Sequence, residues 1–549
     1  MCPRCSIARR SRPVDRGAAL YRGVIDLWER GDATFHPNGG SVVEDYLAQN
    51  PRQIKKMQQH EPANTAGGGK TKVRPRRADA SLRRIWDQDP IDGALFFALV
   101  LALAWVPLWL GANRPFAWGV NAILFPGLAL IYEISLLLRG RRHPVGIGRL
   151  KAPAVLFAAV VIWIFIQMST SVPAALQHPV WAMAADVLER PLDGCISVNR
   201  DLTALSLLRL ATAASALWVS IQLCRDADRA HLLVHAVGAI VAAYSAYGLV
   251  SYALFSGAIL WFDVDKEIGF VRSTFVNRNS FATYAGLGLV ATTGMILRLY
   301  RHEVRAESGS LSHRFALFIE ATGRRGWFLL GTGLVTLAAL LATGSRGGVA
   351  AAALGLIGLL ALTSARHRRR GGERIEAVVF VAAAILACSV FFGDPFVGRI
   401  ASGDFLDDAT RRGAYLITLR SILVSPFLGF GDGTFADVFP MYRDRSIDVT
   451  GTWDKAHDTY LEIVQGLGLV FGTALLAALA WLVYLCVAGA LKRRRDAGPA
   501  LVASAAALLI AVHALVDFSV QMQAVALTFM VLLGAGVAQS ASATEVVCD

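Results

Sequence analysis

The sequence predicts an all-α polytopic membrane protein with about twelve transmembrane helices and one large polar loop holding an amphipathic helix. Three observations lead there. Of 549 residues, 55% are hydrophobic and only 17% are charged, whereas a soluble domain carries about 25% charged residues. Apolar runs of about 20 residues, the length that crosses roughly 30 Å of hydrocarbon, recur from Asp92 onward. The basic residues between them cluster at alternate connections, which is the charge bias of membrane proteins.

The runs lie near 93–111, 117–138, 152–170, 203–223, 232–255, 279–297, 327–343, 347–364, 376–393, 468–490, 499–516 and 521–539. With the N-terminus inside, the inner connections are Arg139–Arg142, Arg225–Arg229, Arg298–Arg325, Arg366–Arg370 and Lys492–Arg495, and every one is basic. The outer turns Gly111–Pro115, Thr343–Gly347 and Asp517–Gln521 carry little positive charge. One missed span would put a basic cluster on the wrong side, so the alternation predicts both termini to be cytoplasmic.

Residues 1–90 hold 17 Lys/Arg against 10 Asp/Glu and lack an apolar leader. They are expected to form a basic, mostly disordered cytoplasmic extension. Residues 91–540 form the transmembrane domain and 541–549 a cytoplasmic tail. The net charge of +13 comes with no nucleic-acid-reading motif, so nucleic acid is not an expected partner. The partner that the composition does imply is the lipid bilayer. Seven cysteines include the pair Cys2 and Cys5 at zinc-ligand spacing, but no second pair follows, and neither a metal site nor a disulfide framework is expected.

Three outer segments are longer than turns: 171–202, 256–278 and 394–467. The last holds 7 Lys/Arg against 11 Asp/Glu, together with Trp453 and several Phe and Tyr. Polar loops of that length are functional or disordered, and its aromatic content argues for order. Tyr415, Leu419, Ile422 and Leu423 recur at the spacing of one helix face. Pro426 marks the end of that helix, and Gly429-Phe-Gly-Asp-Gly-Thr-Phe435 reads as a glycine-rich turn.

Five residues could carry chemistry. Arg209 falls inside the fourth span, where an ionisable side chain is costly and marks a functional position. Arg272 and Arg278 flank the start of the sixth span, and Arg346 sits in the turn Thr343-Gly-Ser-Arg-Gly-Gly348. Arginine at an outer face opposes the usual charge bias. It can anchor lipid phosphate, or several guanidinium groups can converge on a diphosphate through paired hydrogen bonds. His457, in Lys455-Ala-His-Asp-Thr-Tyr-Leu-Glu462, stands just before the tenth span. Its near-neutral pKa suits proton abstraction from a hydroxyl, with Asp458 or Glu462 as candidates to orient it. The chain contains no HExxH, GxSxG or Walker A sequence, so the energy for a reaction must come from the substrate.

These motifs resemble the O-antigen ligase/polymerase superfamily of the Wzy_C type. The stretch Arg411 to Arg445, with Tyr415, Pro426–Gly429, Gly431–Phe435 and Phe439–Arg443, looks like the large periplasmic loop of that family. Ala456–Glu462 resembles its AHNxYLE signature, with Asp458 where Asn is common. Ser273–Asn279 resembles its TFxNRNHF segment, with Ser280 where His is frequent, and Ser345-Arg346-Gly347 resembles its SRG turn. The resemblance spans roughly residues 90–540. It implies a GT-C-like membrane glycosyltransferase of the bacterial inner membrane that needs no metal or other cofactor. The donor would be an undecaprenyl-diphosphate-linked glycan. The acceptor would be a hydroxyl of lipid A-core or of another glycan at the periplasmic face, with inversion at the sugar carbon. On this resemblance Arg278 and Arg346 bind diphosphate and His457 is the base. Arg272 and Arg209 join the substrate-binding set from the residue reading alone. Alternatives are a repeat-unit polymerase of O-antigen or exopolysaccharide, a lipid-linked-oligosaccharide transporter, and a non-catalytic scaffold. A transporter should show related halves, and no internal repeat is evident.

Overall fold

The computed structural model describes residues 89–255, 258–262, 269–303, 311–368, 409–444, 453–493 and 497–540. They form a polytopic all-α membrane protein with no strand among them. The helices are α1 (Pro90–Trp105), α2 (Pro115–Leu138), α3 (Lys151–Met168), α4 (Val180–Leu188), α5 (Arg200–Leu223), α6 (Ala227–Leu254), α7 (Arg278–Glu303) and α8 (Leu311–Ala342). They continue with α9 (Arg346–Arg368), α10 (Ala409–Val424), α11 (Phe435–Tyr442), α12 (Thr459–Lys492), α13 (Gly498–His513) and α14 (Gln523–Ser540). Among the described residues, ten helices are long and apolar enough to cross a membrane. Ten of the twelve expected spans coincide with these. The eleventh, expected at 499–516, falls on the 16-residue apolar α13, about 24 Å long and shorter than those ten. The ninth, at 376–393, lies outside the described residues, as does the N-terminal extension.

Burial separates inner from peripheral helices. In α7 and α14 the apolar windows are 83% and 89% buried, against 22% in α2. Large side chains of α2 such as Ile123, Leu130, Leu137 and Leu138 are exposed instead, as a lipid-facing helix requires. Helix direction alternates, so α2, α5, α7, α9, α12 and α14 all begin at one face, called here the site face. At the opposite face the arginines have structural partners. Arg139 pairs with Asp89 at 2.7 Å and Asp92 at 2.9 Å, and Asp89 caps α1 through the amides of Ile91 and Asp92. Arg366, Arg493 and Arg225 donate to the terminal carbonyls Ala490 O, Gln539 O and Ala538 O. These oxygens have no partner within their own helix and lie at the negative end of its dipole. The basic connections read from the sequence are therefore also helix stops.

The described part of the long polar loop is ordered by a break in α12. At Gly468 the backbone turns to φ 77°, ψ 167°, which frees carbonyls from the helix ladder. The glycine-rich turn takes them up. Phe430 N donates to Gln465 O and Gly431 N to Gly466 O, both at 3.0 Å, and Leu469 N reaches Pro426 O at 2.7 Å. Gln167 of α3 donates to both Leu428 O and Gly466 O at 2.8 Å. The expected helix before Pro426 is α10, but its apolar residues form two faces instead of one. Ala414, Ile417 and Ile422 are buried with α11 and α12 behind them, while Leu416, Leu419, Leu423 and Phe427 are exposed in a row.

Candidate functional site

Arg278 and Arg346 are the first residues of α7 and α9. These two helices pack side by side with their N-termini at the site face. Segment 269–277 leads into α7 and is pinned on three sides: Val271 N donates to Ala342 O (3.0 Å), Ser273 Oγ to Tyr244 O (2.7 Å) and Thr274 Oγ1 to Pro107 O (2.7 Å). Arg272 is buried within it. The Arg278 guanidinium lies over the Phe270 ring at 3.7 Å. One of its terminal nitrogens would stand 3.8 Å from a Cβ on Gly344, two residues before Arg346. The two positive helix ends and their arginines thus share one corner, a favourable place for an anion.

His513, the last residue of α13, closes that corner. Its Nε2 would lie 3.1 Å from a Cβ on Gly347, so any side chain there would press on the ring. Its Nδ1 is 2.5 Å from Thr283 Oγ1 of α7. The turn that follows carries Asp517. Its carboxylate accepts from Asn279 Nδ2 at 3.1 Å and Ser519 Oγ at 2.5 Å, and its carbonyl accepts from Thr459 Oγ1 at 3.0 Å. Phe518, one residue on, meets the His457 ring edge-to-face at 4.9 Å, and Trp453 does the same from elsewhere at 5.2 Å.

His457 sits in the left-handed region with φ 57°, which costs a side chain with a Cβ about 1–2 kcal/mol. The Tyr415 hydroxyl holds its carbonyl at 3.2 Å. Its Nδ1 is buried and has no hydrogen-bond partner among the described residues. Burial, and then the Arg411 guanidinium, lower the imidazole pKa below its ordinary value, while Asp517, Asp454 and Glu462 pull the other way. The ring is therefore held in its proton-accepting form. The two candidates to orient it do other work. Asp458 caps α12 by accepting from Leu461 N at 3.0 Å, a task that Asn and Asp perform equally. Glu462 accepts from Ala456 N at 2.9 Å and faces Lys455 Nζ at 3.8 Å, bracing the backbone beside His457. Ser280 is buried at the start of α7, below Arg278.

Residues 331–477 match the family model for O-antigen ligase, Wzy_C. The resemblance seen in the loop motifs holds over this segment. No curated protein matches the chain. The Wzy_C segment contains Arg346, Arg411, the glycine turn and His457, whereas Arg272, Arg278, Asn279, His513 and Asp517 come from helices and connections outside it. Of the five residues singled out in the sequence, the structure gathers Arg278, Arg346 and His457 around the Asn279–Asp517–Phe518 connection and puts Arg272 in the segment leading to it. Arg209 lies across the 514–522 turn in a different cluster. It donates to Gln521 O at 2.5 Å, covers the Trp118 ring at 4.7 Å and faces Asp432 and Glu462. Sequence reasoning missed Arg411, Asp517 and His513. Among the described residues, no group of three or more His, Cys, Asp or Glu is placed to hold a metal ion.

Proposed function

We propose that the chain is a glycosyltransferase of the O-antigen ligase type, acting at the periplasmic face of a bacterial inner membrane with both termini in the cytoplasm. One observation supports this above all: the Arg278 guanidinium lies beside Gly344, two residues before Arg346, while its neighbour Asn279 bonds to Asp517, and Phe518, next to Asp517, packs on the His457 ring. On this reading Arg278 and Arg346, with Arg272 beside them, hold the diphosphate of an undecaprenyl-linked glycan. An acceptor hydroxyl attacks the anomeric carbon, the carbon–oxygen bond to diphosphate breaks with inversion, and the hydroxyl proton passes to His457. The leaving undecaprenyl diphosphate keeps the electron pair, and its charge is met by guanidinium groups and helix ends.

The test is transfer in proteoliposomes with a lipid-linked donor. Arg346→Lys keeps the charge but loses the planar two-point contact, and it is expected to weaken donor binding by about 1.5–3 kcal/mol, or roughly ten- to a hundredfold. Wild-type donor affinity in that variant would assign Arg346 to the fold. In a deletion strain, loss of all core-attached chains marks a ligase and a single-repeat band marks a polymerase.

The rate should also follow the His457 imidazole. The neutral ring is the active form and its pKa is lowered, so the acid limb of the profile is expected below the ordinary value of about 6.5. Arg411→Gln removes a cation that disfavours protonation, so the limb moves to higher pH. Asp517→Asn removes a favouring charge, so it moves to lower pH. Initial rates against pH for the three proteins check both signs.

A further inference from the structure

Arg209 stands at one end of a cavity of about 440 Å³ walled by α3, α5, α12 and α14. Along α5 its lining runs from Ser206 to Ile221, fifteen residues or about 22 Å of rise, out of roughly 30 Å of hydrocarbon. The cavity reaches the middle of the bundle. From Gln523 to Ser540, α14 is buried at every residue except Ala526 and Met530, which lie one turn apart and both line it. The long walls are apolar, and the volume spread over that length leaves room for one hydrocarbon chain.

The polar end differs from the arginine corner. Arg209 and Lys455 are matched by Asp432 and Glu462, all four lining the cavity. Asp432 is held by Ser206 Oγ at 2.5 Å and Glu462 by Lys455 at 3.8 Å. Two charges of each sign give a diphosphate no net attraction there. Arg209 Nε and Gln523 Nε2 are buried donors without a hydrogen-bond acceptor among the described residues. Mixed planar donors and acceptors with balanced charge suit a head group that is neutral and rich in hydroxyls. Lys455 and Glu462, which line this end, flank His457 in the chain, while His457 itself does not line the cavity.

We infer that this cavity binds a lipid-anchored sugar, with one chain lying along α3, α5, α12 and α14 and an uncharged sugar at Arg209, Asp432, Lys455 and Glu462. Calling that ligand the acceptor rests on the transferase reading, but the site itself does not. The test is photolabelling of the full chain in phosphatidylcholine nanodiscs, using diazirine-tagged alkyl glucoside, alkyl phosphocholine and alkyl diphosphate of equal chain length. The glucoside should label peptides of α5 and α14, and untagged glucoside should compete while the diphosphate does not. Ala213→Trp and Ala526→Phe, which fill the cavity from two different helices, should abolish that labelling. The competition measurement on the wild type stands if either variant fails to fold. An isoprenyl glucoside labelling better than the straight-chain one points to a polyprenyl-anchored source and the reverse to an acylated one; either supports the site. Strongest labelling by the diphosphate or phosphocholine, or labelling confined to the lipid-facing side of α2, overturns it. His457→Ala should label like the wild type. Transfer without cavity labelling removes the lipid site and leaves the transferase reading, whereas labelling without transfer does the opposite.

Discussion

Replacing His457 with alanine is expected to lower transfer by about two to four orders of magnitude, the usual contribution of a general base, in a protein that still inserts and stays monodisperse. The ring is only half-buried and its contacts are two edge-to-face aromatics, Trp453 and Phe518, so truncation removes little packing. The backbone sharpens the test. At φ 57° a glycine would relieve about 1–2 kcal/mol of strain. His457→Gly should therefore be more thermally stable than His457→Ala and equally inactive. That pairing would mean that the strained position serves the imidazole and not the fold. Substantial transfer by either variant in proteoliposomes, with thermal midpoints recorded alongside, would remove His457 from the chemistry.

Gly468→Ala is expected to destabilise the protein by more than about 3 kcal/mol. At φ 77°, ψ 167° the backbone is in a region essentially reserved for glycine, worth about 1–3 kcal/mol of strain by itself. An added Cβ would also stand 2.3 Å from Phe427 O and 2.7 Å from Phe427 C. That carbonyl cannot retreat freely, because Pro426 O beside it accepts from Leu469 N and Leu428 O accepts from Gln167. Clash and strain add, and the glycine turn loses its seat on α12. Gly331→Ala in α8, where nothing lies within 4 Å of the new methyl, is the control and should be neutral or slightly stabilising. Thermal midpoints in detergent compare the two. Equal midpoints would mean that the break in α12 is not specified by this glycine.

The spans were legible because hydrocarbon imposes length and composition on each helix separately, with no partner needed to read it. Pro426, the glycine turn and the chain-reversing segments were legible for the same local reason. What could not be read was which side chains meet. Asp517 lay in what looked like an ordinary short turn, and only its contact with Asn279, 238 residues earlier, makes it part of the corner. His513 did carry a signal, an ionisable ring near the end of an apolar run, which was overlooked beside His457. The face drawn through Tyr415, Leu419, Ile422 and Leu423 joined residues that the structure separates. Ile422 is buried while Leu419 and Leu423 are exposed, because α10 is apolar on two sides and periodicity alone does not say which side is covered.

The turn from Ala514 to Met522 has two surfaces. Asp517 and Phe518 look toward Asn279 and His457, and Val520 and Gln521 look into the α3–α5–α12–α14 cavity. A few residues of one strip of chain are thus a party wall between two rooms. Side chains on its two surfaces share the same peptide units, so a change that moves the backbone in one room moves it in the other. A substitution on this strip therefore acts on both rooms at once.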